Sequence, residues 1–189
     1  MKLIVGIGNP EEKYKDTRHN IGFRFLDYLV KETEAGEFEL DKKLNAMVLK
    51  TKIDKFPVVL AKPLTYVNES GKAAAALAKT YKVKPQDIVI VQDDLDIEFG
   101  SFKNSFDKNS GGHKGIDSVI RALKTKKFYR IRIGLAVKAL DKARQQSDAK
   151  RDAFVRNFVL SPFSPADEKM LKTMFPKIYE RLLMVLKQN

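Results

Sequence analysis

The stretch from Lys2 to Phe23 constrains the fold more than any other part of this 189-residue chain. Leu3, Ile4 and Val5 make a short, wholly apolar run of the buried-strand type. Gly6, Gly8, Asn9 and Pro10 then stop the strand and force a turn. A polar loop follows, carrying Tyr14, Arg18, His19 and Asn20, after which Ile21, Phe25, Leu26, Leu29 and Val30 recur at helical spacing. A strand that empties into a polar loop ahead of a helix opens an α/β unit, and such loops are where α/β folds place their chemistry. His19, one of only two histidines in the chain, falls at that junction.

The same alternation continues downstream. Residues 47–53 alternate apolar and polar, Phe56-Pro57 marks a turn, and residues 58–61 read as another strand. Ser70 precedes an alanine-rich helix that Lys84-Pro85 should end. Residues 88–91 are a wholly apolar strand, 99–106 a further strand, and 111–115 a loop before a helix through Val119, Ile120 and Leu123. Residues 129–136 form the next strand. Residues 138–152 are highly charged without strong periodicity, which reads as a mobile excursion or a surface helix. Ser164, Pro165 and Asp167 begin a last helix with an apolar stripe at Met170, Leu171 and Met174, and Pro176 should break or kink it. The pattern predicts one domain over residues 1–189: an α/β three-layer sandwich, with a mixed, twisted sheet between helices.

Charge adds a statement about partners. Thirty-six lysines and arginines against 24 acidic residues leave a formal net charge of +12. That excess favours a polyanion, whether RNA, DNA or an anionic membrane, although a lysine-rich solvated surface accounts for it as well. No apolar run approaches the ~18 residues of a membrane span, and Met1-Lys2 leads straight into the strand without a secretory signal. The chain has no cysteine, which excludes disulfides, thiolate catalysis and cysteine-based zinc sites.

Several familiar sites are missing. There is no Gly-x-Ser-x-Gly elbow, Tyr66 stands where a P-loop ahead of Gly71-Lys72 needs glycine, and Glu11 stands where a dinucleotide fingerprint needs its third glycine. The two histidines lack a paired-ligand spacing, which argues against a metal. What remains is a metal-free imidazole base, with Asp93, just past the 88–91 strand, as its orienting carboxylate. Blander roles stay open. His19 fits a polar helix-start residue, and Asp93, Asp94 and Asp96 suit a turn or a divalent cation.

These residues sit in blocks that resemble the bacterial-type peptidyl-tRNA hydrolase family. The blocks are Gly6-x-Gly-Asn-Pro10 with Tyr14 and Thr17-Arg-His-Asn20, then Val67-Asn-Glu-Ser-Gly-Lys72, Asp93-Asp-Leu-Asp96, Gly111-Gly-His-Lys-Gly115 and Arg130-Ile-Arg-Ile-Gly134. They follow the family's order at about its spacing, from residue 2 to about residue 135. The resemblance implies cleavage of the ester between an N-blocked peptide and the 3′ ribose of tRNA, by a cytoplasmic monomer needing no metal or other cofactor. It implies His19 as general base and Asp93 as its partner. Asn68 would contact substrate and oxyanion, and Asn9 would tell N-blocked from free aminoacyl esters. Tyr14 and Tyr66 would contact tRNA or line the substrate cleft, Lys114 would stand at the cleft, and Lys103 and Arg132 would belong to the tRNA surface. It places His113 beside the cleft but not as the base.

Against these stand a turn role for Asn9 with Pro10, a helix cap for Asn68, and packing for both tyrosines. The basic run of Lys103, Lys108, Lys114, Lys124, Lys126, Lys127, Arg130 and Arg132, interleaved with Phe102, Phe106, Phe128 and Tyr129, also fits a solvated surface over an aromatic core. The chain departs from the family at Val67, where methionine is common, and at Lys114, where asparagine is expected. A Gly-Arg-Pro-like segment after Gly134 is also absent. An ammonium at position 114 should depress the His19 pKa, and it keeps open a second reading, a catalytically impaired RNA-binding protein on the same fold.

Overall fold

In the computed structural model, which describes residues 1–188, strand β1 (Lys2–Gly6) is buried along its whole length. A strand buried on both faces needs a layer on each side, and its alternating side chains recruit one. Ile4 joins a core with Phe25, Leu26 and Leu29 of helix α1 (Ile21–Glu32). Leu3 and Val5 join a second core on the opposite face, with Ala74 and Leu77 of α2 (Ser70–Thr80) and Ile116 and Val119 of α3 (Lys114–Leu123).

The remaining strands are β2 (Glu39–Asp41), β3 (Ala46–Ile53), β4 (Phe56–Pro63), β5 (Ile88–Glu98), β6 (Phe102–Phe106) and β7 (Tyr129–Ala136). They form one seven-stranded mixed sheet in the order β2-β3-β4-β1-β5-β7-β6. Strands β4, β1, β5 and β7 run parallel, and antiparallel strands close both sides. The carboxyl ends of the four parallel strands therefore share one edge, where open α/β sheets place ligands.

Three further helices complete the chain: α4 (Lys138–Arg144), α5 (Asp148–Val159) and α6 (Pro165–Lys187). Helix α6 joins the α1 face through Leu171, Met174, Phe175, Ile178 and Leu182. Its start is a complete capping box between Ser164 and Asp167, as the sequence predicts. Pro176 does not break it; the assigned helix runs through that position. The proline removes one backbone donor, and the buried stripe on either side of it outweighs the loss.

Other boundaries also move. Helix α2 ends at Thr80, ahead of Lys84-Pro85, because the chain turns through a left-handed Lys82 (φ 53°); Pro85 instead opens a single turn leading into β5. Strand β5 runs on to Glu98, so Asp93 lies within a strand and not in the loop after it, and the next strand starts only at Phe102. Of the two readings of residues 138–152, the helical one holds: they form α4 and the first turn of α5.

Candidate active site

Glycine brings helix α1 to the sheet edge. A Cβ on Gly22 would stand 2.5 Å from the Val91 carbonyl and 2.6 Å from Ile7 backbone atoms. Only glycine allows this approach of the helix start to β1 and β5. The single turn Arg18–Asn20 precedes α1 directly and is thereby held over the end of β5.

There His19 Nδ1 lies 2.9 and 3.0 Å from the two carboxylate oxygens of Asp93. Asp93 is 2% exposed, so protein donors replace its water. A carboxylate accepts, so Nδ1 carries the ring proton and Nε2 keeps its lone pair. Burial of His19 disfavours the imidazolium, but the charge of Asp93 and its hydrogen bond outweigh burial and raise the pKa above the ordinary value. Burial likewise opposes ionisation of Asp93. The attraction of His19 and His113 and their hydrogen bonds prevail and hold the carboxyl well below the usual carboxylate range. The depression of His19 expected from Lys114 is therefore not found; the dominant charge beside the ring is the carboxylate.

His113, expected beside the cleft but not as the base, is the second donor to Asp93. Its Nε2 is 3.0 Å from Asp93 Oδ1, and its Nδ1 accepts from the backbone N–H groups of Gly115 and Ile116 at 3.1 and 3.3 Å. His113 is the N-cap of α3. The sequence carries a signal for the cap alone, since the other histidine of the chain stands directly before a helix among glycines; nothing local points to Asp93.

Ring nitrogens of His19 and His113 and an oxygen of Asp93 lie within 4.8 Å of one another, close enough to suggest a metal. The tautomer of His113 opposes it. A metal on Nε2 would send the ring proton to Nδ1, where it would face two N–H donors.

Asn9 follows β1 and is held on three sides. Its backbone N–H donates to Asn20 Oδ1 at 2.8 Å, its carbonyl accepts from Asn20 Nδ2 at 2.9 Å, and its Oδ1 accepts from the Val67 N–H at 3.1 Å. With the amide oxygen committed to Val67, the amide NH2 is the end left for a ligand. Asn20 is thus a positioning residue that the sequence left unassigned; it is 2% exposed.

Asn9, His19, Tyr66, Asn68, Asp93, His113 and Lys114 line one cleft of about 1140 Å³. Asn68, on the turn Val67–Glu69, and Lys114, the first residue of α3, are exposed within it. Helices α4 and α5 form its far wall through Leu140, Arg144, Arg151, Asp152 and Arg156. Residues 138–152 thus bear on the site. Arg144 tethers α4 to the end of β5 through the Leu95 carbonyl at 2.8 Å and Asp96 at 2.5 Å.

Tyr14, Tyr66 and Arg132 differ in their surroundings. Tyr14 does not line the cleft; it stands on the turn Glu12–Tyr14 beneath the Lys13 ammonium, 4.9 Å from the ring centre. Tyr66 does line the cleft, half exposed, with its hydroxyl on Glu11. Arg132 is no free hand on the surface: its Nε donates to the buried Asp94 at 2.7 Å. Its register partner on β6 is the exposed Lys103. Of the basic run, Arg130 is buried, with one guanidinium nitrogen on the Asn109 carbonyl. Phe128 is core, while Phe106 stays exposed against Tyr129.

Comparison with known proteins agrees with this arrangement. The profile of the peptidyl-tRNA hydrolase family matches residues 3–189. The peptidyl-tRNA hydrolase of Aquifex aeolicus is 39% identical over 184 residues, which is 97% of this chain and 88% of that protein. That of Mycobacterium ulcerans is 46% identical over 133 residues, 70% of this chain and 69% of that protein. Among solved structures, peptidyl-tRNA hydrolase from Acinetobacter baumannii superposes with a TM-score of 0.86 at 26% identity, covering 99% of this chain and 89% of that one.

Proposed function

The chain belongs to the peptidyl-tRNA hydrolase family, and from that membership we propose how its residues cleave the ester between a peptide and the 3′ ribose of tRNA. The observation that carries the assignment is the His19–Asp93 pair. It leaves one imidazole lone pair, on Nε2, at a cleft lined by amides and cations.

A water in the cleft gives a proton to His19 Nε2 as its oxygen attacks the ester carbonyl carbon. Asp93 holds the tautomer that makes Nε2 the acceptor and stabilises the imidazolium that results. The carbonyl oxygen becomes an oxyanion, and the exposed amide of Asn68 donates to it. The tetrahedral intermediate then expels the ribose 3′ oxygen, which takes the proton back from His19. Peptide and tRNA leave, and the base is restored. General-base assistance of this kind contributes ~10²- to 10⁴-fold. No step draws on a metal, and the proton on His113 Nε2 works against one binding at this cluster.

Asn9 supports a preference for N-blocked substrates. Its free NH2 donates to the carbonyl of a peptide or N-acyl group, whereas a free aminoacyl ester presents an ammonium, another donor, at that place. The +12 charge supports tRNA as the polyanion. No helix among the described residues is long and apolar enough to cross a membrane, and we take the working form to be a cytoplasmic monomer. The reading as an impaired RNA-binding protein finds no support in a site whose base, carboxylate and amides are all in place.

The test compares N-acetyl-aminoacyl-tRNA, free aminoacyl-tRNA and a simple ester, each with and without a chelator, for the native protein and His19→Ala. The native protein should cleave the first substrate fastest and ignore the chelator. His19→Ala should lose at least ~10²-fold while still binding tRNA. Near-native turnover by the variant would remove His19 from the mechanism.

A further inference from the structure

We propose that His113 is a positioning residue of this active site: with its tautomer locked by the first turn of α3, it shares Asp93 with His19 and divides the charge of that carboxylate between two imidazoles. The inference rests on His19 being the base.

The lock follows from hydrogen-bond inventory. An imidazole has one lone-pair nitrogen and one N–H in its neutral form. The N–H groups of Gly115 and Ile116 both point at His113 Nδ1, 3.1 and 3.3 Å away. Only a lone pair can face two donors, so the proton sits on Nε2, and Nε2 is the atom 3.0 Å from Asp93 Oδ1. One ring thus caps a 10-residue helix and donates to a buried carboxylate with opposite edges. His113 and His19 approach the same anion with ring centroids 5.5 Å apart. Both reach Oδ1, so each donor weakens the hold of the carboxylate on the other. Without the His113 donor, Asp93 would act on His19 alone and favour its imidazolium more strongly.

Other charged groups border His19. Arg18 shares its turn, Asp94 follows Asp93 on β5, Lys114 begins α3, Arg144 lies on α4, and Arg151, Asp152 and Arg156 lie on α5. None of them hydrogen-bonds the His19 ring among the described residues; Asp93 alone does. A change at His113 is therefore read through Asp93.

The chain has two histidines, so imidazole NMR resolves both rings. At neutral pH the ¹⁵N shifts of His113 should report the Nε2–H tautomer. In His113→Asn the side-chain oxygen still caps α3, but the amide is too short to reach Asp93. In His113→Ala both contacts go and Tm falls as well. In each variant the His19 titration midpoint should rise by about half a pH unit. In an Asp93→Asn background the same substitutions should leave the midpoint in place. An Nδ1–H tautomer at His113, an unmoved or lowered His19 midpoint, or equal movement without Asp93 would each overturn the proposal. Those outcomes leave the base assignment intact; only an active His19→Ala would remove that.

Discussion

The guanidinium of Arg18, the residue before His19, reaches Asp167 Oδ2 at 3.0 Å, and Asp167 is the residue that closes the capping box of α6. The same guanidinium donates to Ser161 Oγ at 2.7 Å and lies over the rings of Phe158 and Phe163, 4.8 and 5.3 Å from their centres. The turn that carries His19 is thereby fastened to the junction between α5, which walls the cleft, and α6, which packs on the core. Arg18→Ala removes these contacts and leaves the half-buried Asp167 carboxylate with its capping-box bond but without a counter-charge. The expected cost is about 1–3 kcal/mol of stability, with roughly a tenfold lower kcat and a KM little changed. Arg18→Lys, which keeps the charge but not the planar fork, should fall between. Denaturant unfolding and steady-state kinetics measure both. An unchanged kcat would mean that the backbone links of Arg18 to Ser161 and Thr17 to Pro162 suffice to hold the base.

Asp93→Asn tests the electrostatics in the opposite direction. In the native protein the carboxylate raises the His19 pKa, so the ring is protonated up to a higher pH than an ordinary imidazole. Removing the charge leaves burial unopposed and lowers that pKa. The acid limb of the pH–rate profile should therefore move to lower pH. Turnover at neutral pH should fall nonetheless, because an amide can present its NH2 to Nδ1 and select the wrong tautomer. An acid limb that stays in place, or moves to higher pH, would separate the two residues.

What the sequence disclosed and what it hid divide along physical lines. Strand and helix existence was legible wherever a period ran long enough: β1, β7, α1 and α3 lie where apolar spacing puts them. The meeting of His19 and Asp93 at one sheet edge was legible too, from the loop after β1 and the apolar run of residues 88–91, whereas Asn9 and Asn68 came only from the family resemblance. Pro176 does not end α6, because burial of its apolar stripe overrides a local preference. Residues 138–152 left two readings open, and the helical one holds; the periodicity was weak because a helix that walls a cleft has few apolar positions, and α5 buries only Val159. The hydrogen bonds of His113 to Asp93 and of Arg132 to Asp94 were illegible, because a register between strands and a helix start decides them and no local pattern encodes it.

That register changes what a tRNA-binding test should use. Lys103 and Arg132 are cross-strand partners on β6 and β7, yet Lys103 is exposed and Arg132 is bound to Asp94. Lys103→Ala should weaken tRNA binding at low salt and reduce the slope of log K against log salt by about one, with Tm unchanged. Arg132→Ala should lower Tm too, since it leaves Asp94 buried without its partner. Salt titrations of binding beside thermal melts distinguish the two. An affinity insensitive to salt would make the +12 charge a matter of solubility alone.

Lys114 is the sharpest departure from the family and the last position to test. It is exposed, lines the cleft with His19 and Asn68, and forms no salt bridge among the described residues. Its ammonium supplies three donors and no acceptor, whereas asparagine supplies both. A water held between His19 Nε2 and an asparagine carbonyl would lose one partner here. Against that, an unpaired cation at the first turn of α3 suits a phosphate near the 3′ end of tRNA. The native protein should therefore be active, with substrate affinity taking more of the lysine's effect than chemistry does. Lys114→Asn should change the single-turnover rate by less than the ~10² of a principal catalytic group. It should also weaken tRNA binding and shallow its salt dependence by about one unit of slope. Single-turnover hydrolysis of N-acetyl-aminoacyl-tRNA by both forms decides the point. Cleavage that appears only after Lys114→Asn would mean that the native site binds tRNA without turning it over.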